Sequence, residues 1–259
     1  MSCDGSWPQD RRLSGVGEQV VIERRFNGPP DSGHGGYVCG LVAERIDAPV
    51  AAVSLRRPPP LGRPLEVHRG AEGAAALLDG GEIVADGAPA ALELTAPQTV
   101  SFAAAETALA SNPWFTKHPF PTCFGCGPDR DPEDALRLIL GRVAGRDLMA
   151  DSWVPDASLA DEQGHVTPLF VWAALDCPTG AAAIDPHSGP HVLARLTADP
   201  SRAPIVAGEP HVVLAWLIAR DGRKSRGGSA IYNAHERLCA VAEGLWIQLR
   251  DPSLVGAKV

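Results

Sequence analysis

Two apolar segments, one in each half of the chain, are each surrounded by shorter apolar stretches that turn residues interrupt. The first segment runs from Tyr37 to Ile46, is apolar almost all round and is followed by Pro49, which predicts a helix enclosed on every side. Pro, Gly and Asp-Gly turns separate the shorter stretches, as they do between antiparallel strands. The predicted strands of this half are residues 20–26, 50–55, 65–68, 74–78 and 83–94.

The second apolar segment carries clearer signals for the start of a helix. Thr167 is suited to the N-cap, Pro168 to the first helical position, and Val166 to packing on Val171 one turn later. Pro178 predicts that this helix ends or kinks there. Strands are predicted at 136–143, 148–153, 191–196, 211–220, 229–233 and 238–249, and a connecting helix at 99–110.

The landmarks of the first half recur in the second half in the same order. Gly33-His34-Gly35-Gly36 opens the first helix and Gly164-His165 precedes the second, and a Gly-x-Pro turn follows each helix. Because the order is kept while the spacers differ, we interpret the chain as a tandem duplication of one α+β unit. The predicted division is a loose arm over 1–17, a first unit over 18–115, an irregular bridge over 116–135 and a second unit over 136–259, with a buried site between the units.

Composition excludes several classes of protein. The 259 residues are 45% hydrophobic and 21% charged, as in ordinary globular proteins, and the net charge of -8 argues against nucleic-acid binding. No apolar run approaches the roughly 18 residues of a membrane span, and no signal-peptide core is present. Six cysteines are too few for a disulfide scaffold, so we expect a reducing, cytoplasmic location.

An apolar helix wrapped by an antiparallel sheet, approached through Gly33-His34-Gly35-Gly36 and present twice, resembles the hotdog-fold thioesterases in their double-hotdog form. The resemblance covers about Val20 to Leu249. It implies a tandem hotdog that hydrolyses an acyl-CoA or another acyl thioester in the crevice between its halves, without a cofactor. A homodimer is left open. In that superfamily a carboxylate on one helix acts as base or nucleophile, and backbone amides at a helix N-terminus polarise the thioester carbonyl.

The first helix offers the candidate oxyanion donors. Gly35 and Gly36 present backbone N–H groups at the positive end of the helix dipole, although glycines there could simply permit a tight turn. Tyr37 and Thr167, at the starts of the two helices, are assigned to substrate binding with them. His34 is expected to contact the thioester or to hold the loop.

The polar loop residue and the carboxylates complete the predicted catalytic set. Asn27 stands where such enzymes place a polar loop residue, but Asn before Gly is also an ordinary turn. Relatives with a His-Gly-Gly sequence usually carry their acid nine residues after the His, which is Ala43 here, with Glu44 one step further. Asp176 is the stronger candidate, because an acid in an apolar helix must be paired, neutral or functional; it could otherwise cap the turn at Pro178. We therefore predict one composite site of the first helix N-terminus and Asp176.

Two further groups have weaker signals. Arg223, Lys224 and Arg226 could meet the phosphates of CoA, as could Arg56 and Arg57 in the first half, or they could be solvated strand ends. Cys123 and Cys126 have the spacing of half a zinc knuckle, and His118 could be a third ligand. Because a second cysteine pair is lacking, we predict a buried thiol pair and no metal.

Two alternatives to hydrolysis remain at this level. Glu44 stands one position after the expected site of the acid, and the two halves do not carry equivalent carboxylates. Both features are typical of a non-catalytic acyl-CoA binding protein. The hotdog fold also supports enoyl-CoA hydration, for which Asp31, just before Gly33-His34, is a loose match.

Overall fold

The computed structural model describes residues 17–114, 118–251 and 253. The predicted arm over 1–17 lies outside the described residues apart from Gly17, as do short parts of the bridge and of the C-terminal end. The described residues form three α-helices: α1 Gly35–Ala43, α2 Phe102–Ala108 and α3 Pro168–Ala183. None of the helices in these residues is long and apolar enough to cross a membrane.

Eleven strands of the described chain join into one antiparallel sheet. The first half contributes β1 Gln19–Val21, β2 Ala51–Leu55, β3 Pro64–Arg69, β4 Ala75–Asp79 and β5 Glu82–Pro89. The second half contributes β6 Gly141–Arg142, β7 Met149–Trp153, β8 His191–Asp199, β9 His211–Asp221, β10 Lys224–Asn233 and β11 Leu238–Gln248.

Strand order is the same in the two halves. From its outer side to the centre, the first half runs β1-β3-β4-β5-β2, and the second runs β7-β9-β10-β11-β8 with β6 added at its edge. The halves meet where β2 pairs with β8, with Ala51 opposite Ala198 and Val53 opposite Leu196. In both halves the long helix follows the first of these strands in the chain, so each half repeats one arrangement of helix and sheet.

The helices α1 and α3 pack against each other in opposite directions inside the curve of the sheet. Gly36 contacts the turn of α3 that contains Trp172, while Gly40 contacts Leu169, which is earlier in α3. A Cβ at Gly36 would lie 2.5 Å from the backbone oxygen of Trp172, so only glycine allows this approach. The helix starts therefore lie at opposite ends of the pair. The start of α1 faces the middle of α3, and the start of α3 faces the end of α1.

The outer face of the second half is covered by the connecting segment. Alternate strand residues such as Ala150, Leu214 and Tyr232 point away from α3 and pack against α2 and the chain that precedes it. The Tyr232 hydroxyl donates to the backbone oxygen of Pro97 at 2.7 Å. The connecting helix predicted over 99–110 is shorter in the structure, Phe102–Ala108. It packs on the second half of the sheet.

Two predicted strands are much shorter in the structure. The strand predicted at 20–26 ends at Val21 and is followed by a 3-10 turn at Arg24–Phe26. Only residues 141–142 of the strand predicted at 136–143 pair in the sheet. The Ile139 N–H instead donates to the Asp151 carboxylate at 2.7 Å, and Leu138 donates to the backbone oxygen of Gly125.

Helix α3 begins at Pro168 after the N-cap Thr167, as predicted, but it departs from the prediction in its end and in its capping. It continues through Pro178 to Ala183, where the sequence indicated an end or a kink. Pro178 lacks the N–H that would bond the Ala174 oxygen, and the Ser229 hydroxyl donates to the neighbouring backbone oxygen of Leu175 at 2.7 Å. Thr167 is the N-cap residue, but its side chain makes no capping hydrogen bond, so the predicted use of its hydroxyl was wrong.

Candidate active site

A cavity of about 680 Å³ lies between the two halves, at the end of the helix pair where α1 begins. The start of α1, the middle of α3 and the bridge loop around Cys123 form its polar part. Apolar side chains of β8, β11 and the segment before β6 form much of the remainder. Its lining includes His34, Gly35, Asp176, Cys177, Leu193 and Trp246.

Asp176 is the buried acid of this cavity, with a relative exposure of 2%. Its Oδ2 accepts a hydrogen bond from the Gly36 N–H at 2.6 Å, across the contact between α1 and α3. Its Oδ1 is buried and has no hydrogen-bond partner among the described residues. Burial raises the pKa of Asp176 to about 6, against the opposing effects of His34 and of the Gly36 N–H. An unpartnered buried carboxylate oxygen is available to a water or a substrate group.

His34 is the N-cap of α1, and its Nδ1 accepts from the Tyr37 N–H at 3.2 Å. In the neutral ring this leaves the proton on Nε2. That nitrogen lies 3.3 Å from the Cys177 Sγ and 3.5 Å from Asp176 Oδ2. Burial acts to lower the pKa of His34, but the charges of Asp176 and Cys123 outweigh it, so the net shift is upward. His34 therefore holds the loop before α1 and contacts Asp176 and Cys177 of α3.

Three thiols gather beside His34. The Sγ atoms of Cys123 and Cys177 are 3.8 Å apart, and both lie within 4.8 Å of a His34 ring nitrogen. Hydrogen bonds from Cys126 and Cys177 lower the pKa of Cys123 well below its usual value, while the pKa values of Cys126 and Cys177 are raised, first of all by their interaction with Cys123. The cluster thus favours a thiolate at Cys123.

The two candidate amides differ in availability. Gly35 lines the cavity, and no residue in the described part of the chain accepts a hydrogen bond from its N–H. The Gly36 N–H is already bonded to Asp176. The expectation of two open amides is therefore corrected to one, because the close helix contact brings the carboxylate onto Gly36.

Asn27 and Tyr37 are buried in structural contacts rather than in the cavity lining. The Asn27 side chain donates to the backbone oxygen of Gly28 at 3.1 Å and accepts from the Arg130 guanidinium at 2.7 Å. The Tyr37 ring stacks on Phe26 with centroids 4.1 Å apart. The structure therefore places Asn27 between the first loop and the bridge, and Tyr37 in an aromatic cluster.

Glu44 and Thr167 lie at the other end of the helix pair. Glu44 lines a second cavity of about 250 Å³ together with Ala43, Pro168 and Trp172, and its carboxylate pairs with Arg45 at 2.8 Å. Burial raises the pKa of Glu44, although Arg45 opposes the shift. The structure therefore separates Glu44 and the start of α3 from Asp176.

Of the five basic residues predicted to meet the phosphates of CoA, two line the 680 Å³ cavity. Arg223, Lys224 and Arg226 do not line the 680 Å³ cavity, and Arg226 pairs with Glu243 across β10 and β11. Arg56 and Arg57 do line it. Asp31, the residue that suggested a hydratase, is exposed and lines neither cavity.

Sequence reasoning missed Cys177 and the contact of His34 with it. One signal was available for the acid: Asp176 stands nine positions after Thr167, the spacing that the resemblance implies between the start of a helix and its carboxylate. No spacing rule connects Cys177 with Cys123 and Cys126. His118, the expected third zinc ligand, lies outside this cluster, and its Nδ1 accepts from the Phe120 N–H at 3.1 Å.

Several solved thioesterase structures share this fold. The tesB protein of Mycobacterium avium subsp. paratuberculosis superposes with a TM-score of 0.54 at 12% identity, over 83% of this chain and 86% of that one. For the acyl-CoA thioesterase II TesB2 of Mycobacterium marinum, the TM-score is 0.53 at 13% identity, over 89% and 92%. A protein described as a candidate thioesterase II, from Thermobifida fusca, gives 0.53 at 16% identity, over 91% and 94%.

These similarities confirm the predicted hotdog fold for most of the chain. At such low identity they show the fold alone. No protein-family model matches the chain, and no curated protein matches its sequence.

Proposed function

We propose that this chain is a double-hotdog acyl-CoA thioesterase with one catalytic site, in the 680 Å³ cavity. The observation that carries the proposal is Asp176, a buried acid held by the Gly36 N–H of the opposite helix with its second oxygen unpartnered. The repeated strand order and the thioesterase structures that share the fold support the same assignment.

Hydrolysis in this site needs a base and an oxyanion donor. Asp176 accepts a proton from a water molecule as the water oxygen forms its bond to the thioester carbon. The Gly35 N–H, at the positive end of α1, donates to the carbonyl oxygen as negative charge develops there. The C–S bond then breaks, the proton passes from Asp176 to the departing thiolate, and the products are a carboxylic acid and free CoA.

The cavity walls suit the two parts of such a substrate. Leu138, Leu140 and Leu193 provide apolar surface for an acyl chain. Arg56 and Arg57 line the same cavity and pair with Asp86 and Glu82. Their side-chain exposures of 45% and 57% leave guanidinium surface that can reach the phosphates of CoA. We therefore assign the phosphate contacts to these two residues rather than to Arg223, Lys224 and Arg226.

Release of free thiol from a panel of short, medium, long and aromatic acyl-CoAs tests the proposal. We expect turnover of at least one member, and a fall in kcat of about 10²- to 10⁴-fold in Asp176→Asn, the usual range for loss of a general base. Glu44→Gln is the matched control and should stay close to wild type. Absence of turnover across the panel, or equal activity of Asp176→Asn and wild type, would reject the proposal.

One observation favours a non-catalytic acyl-CoA binding protein as the second candidate. Asp176 already occupies the Gly36 N–H, so only one of the two glycine amides remains for a carbonyl oxygen. A ligand that binds only the folded state raises the thermal midpoint by mass action. A raised midpoint with acyl-CoA, together with no thiol release from any member of the panel, would favour this second candidate.

A further inference from the structure

The cluster of His34, Cys123, Cys126 and Cys177 combines residues from three separate parts of the fold. Cys123 and Cys126 lie on the bridge loop, Cys177 lies in α3, and His34 caps α1. All four are at the wall of the 680 Å³ cavity. Neither the hydrolytic mechanism nor the packing of the sheet requires three thiols and an imidazole to meet at this point.

Two distances within the cluster match those in a tetrahedral zinc site. With Zn–S bonds of about 2.3 Å and a Zn–N bond of about 2.0 Å, two sulfurs stand about 3.8 Å apart, and a nitrogen and a sulfur stand about 3.5 Å apart. The Sγ atoms of Cys123 and Cys177 are 3.8 Å apart. The His34 Nε2 lies 3.3 Å from the Cys177 Sγ. The Cys126 Sγ lies outside the group formed by these three ligand atoms, so its side chain must move toward them to become the fourth ligand, as the Cys-x-x-Cys spacing allows.

The bridge loop is held in place by its backbone. The Gly127 N–H donates to the backbone oxygen of Cys123 at 2.8 Å, and the Phe124 N–H donates to that of Asn27 at 2.8 Å. A Cβ at Gly125 would lie 2.5 Å from the His34 Nε2 and 2.7 Å from the Cys177 Sγ. Glycine at this position therefore lets the loop approach both partners closely, and the ligand atoms of His34, Cys123 and Cys177 lie within 4.8 Å of one another before any ion is bound.

We propose that Cys123, Cys126, Cys177 and the Nε2 of His34 form a structural zinc site that joins the bridge loop to α1 and α3. Four protein ligands complete a tetrahedron and leave no open position for water, so the ion stabilises the cavity wall and does not activate the nucleophile. From sequence alone, only Cys123 and Cys126 were candidates among these four ligands, and His118 was considered in place of His34.

Zinc at Nε2 changes one contact that the structure contains. A neutral histidine with the metal on Nε2 carries its proton on Nδ1, which in the structure accepts from the Tyr37 N–H at 3.2 Å. That capping hydrogen bond is given up when the ion binds. The binding free energy of a structural zinc site exceeds the contribution of one cap about tenfold, so the exchange is favourable.

Metal content and cobalt spectroscopy of the full chain test the site. The protein is purified under reducing conditions, freed of metal with a chelator, reconstituted with Zn²⁺ or Co²⁺, and separated from unbound ion. We expect one zinc per chain, a raised thermal midpoint, and for Co²⁺ the charge-transfer and intense visible bands of tetrahedral thiolate coordination. The matched variants are Cys126→Ser, which removes a half-buried ligand, and Cys239→Ser, which removes a thiol remote from the cluster.

Zinc affinity and the cobalt spectrum of the variants test the site independently of hydrolysis. Cys126→Ser should bind zinc at least tenfold more weakly and lose thiolate intensity from the cobalt spectrum, whereas Cys239→Ser should behave like wild type. Circular dichroism of the metal-free variants checks that they are folded, and Cys177→Ser replaces Cys126→Ser if the latter is not. Failure of reconstituted wild type to retain zinc, or equal retention by wild type and the folded ligand variant, would overturn the site.

Discussion

The two ends of the α1 and α3 pair occupy equivalent positions in the repeated fold but differ in chemistry. At one end, the start of α1 faces Asp176 across a cavity of about 680 Å³. At the other, the start of α3 faces Ala43 and Glu44 across a cavity of about 250 Å³. The acid of the first end is replaced by Ala43 at the second, and the amide of Gly35 by the proline nitrogen of Pro168, which has no hydrogen.

This difference shows how a fold with two similar halves can hold the proposed catalytic groups at one end only. Each end needs an acid from one helix and an amide from the start of the other, so a single crevice draws on both halves. Ala43, which is not an acid, and Pro168, which has no N–H, lie at the same crevice, and the other crevice has both an acid and a free amide. The proposed function therefore belongs to one end of the helix pair.

The largest expected effect comes from trying to move the acid to the other end. We expect Asp176→Asn combined with Ala43→Asp to keep the deficit of Asp176→Asn, at least about 10²-fold in kcat. At that end Pro168 stands in place of Gly35 and has no N–H to donate to the carbonyl oxygen. Thiol release from the best acyl-CoA of the panel measures this, with Ala43→Asp alone as the control. Recovery of activity in the double variant would show that the second crevice is competent.

A smaller effect, on stability, distinguishes the two ends of the helix contact. Gly36→Ala should lower the free energy of unfolding by about 3 kcal/mol, because its Cβ would meet the Trp172 backbone oxygen and the Asp176 Cβ, each at 2.5 Å. Gly40→Ala should cost less, about 1 kcal/mol, because its Cβ would meet the movable Leu169 Cδ1 at 2.9 Å and the Leu169 backbone oxygen only at 3.0 Å, and alanine favours the helix. Urea unfolding compares them, and a larger cost at Gly40 would contradict this account of the helix contact.

The smallest effect is expected at the start of α3. Thr167→Ala should change the free energy of unfolding by less than about 0.5 kcal/mol, because this side chain makes no capping hydrogen bond. Ser101→Ala is the matched control and should cost about 1 kcal/mol, since the Ser101 hydroxyl accepts from the Ala104 N–H at 3.2 Å. Equal losses in the two variants would mean that Thr167 caps α3 in solution.

The fold could be predicted from the sequence because its main signals are local. A segment that is apolar on every side must be enclosed, and the turn residues between the following stretches mark antiparallel strands. The local signals failed where tertiary contacts took over. Ile139 lies in an apolar stretch, but its N–H bonds to Asp151 rather than to a strand, and Ser229 supports the turn at Pro178 from another element.

The candidate site was predicted only in part, because only some of its residues are marked by local signals. Asp176 stands out as a single acid in an apolar helix, and Gly35 and Gly36 mark an open helix start. The sequence does not show that Asp176 bonds to Gly36, or that Cys177 meets His34, because these pairs are 140 and 143 positions apart in the chain. Asn27 looked catalytic by position, yet its side chain joins two loops through Arg130.

Binding stoichiometry tests the central claim, a single working crevice, most directly. Isothermal titration of the full chain with a non-hydrolysable thioether analogue of the best acyl-CoA should give one ligand per chain, and Glu44→Gln should leave that value and the affinity unchanged. Two equivalent ligands per chain, or loss of binding in Glu44→Gln, would contradict the account.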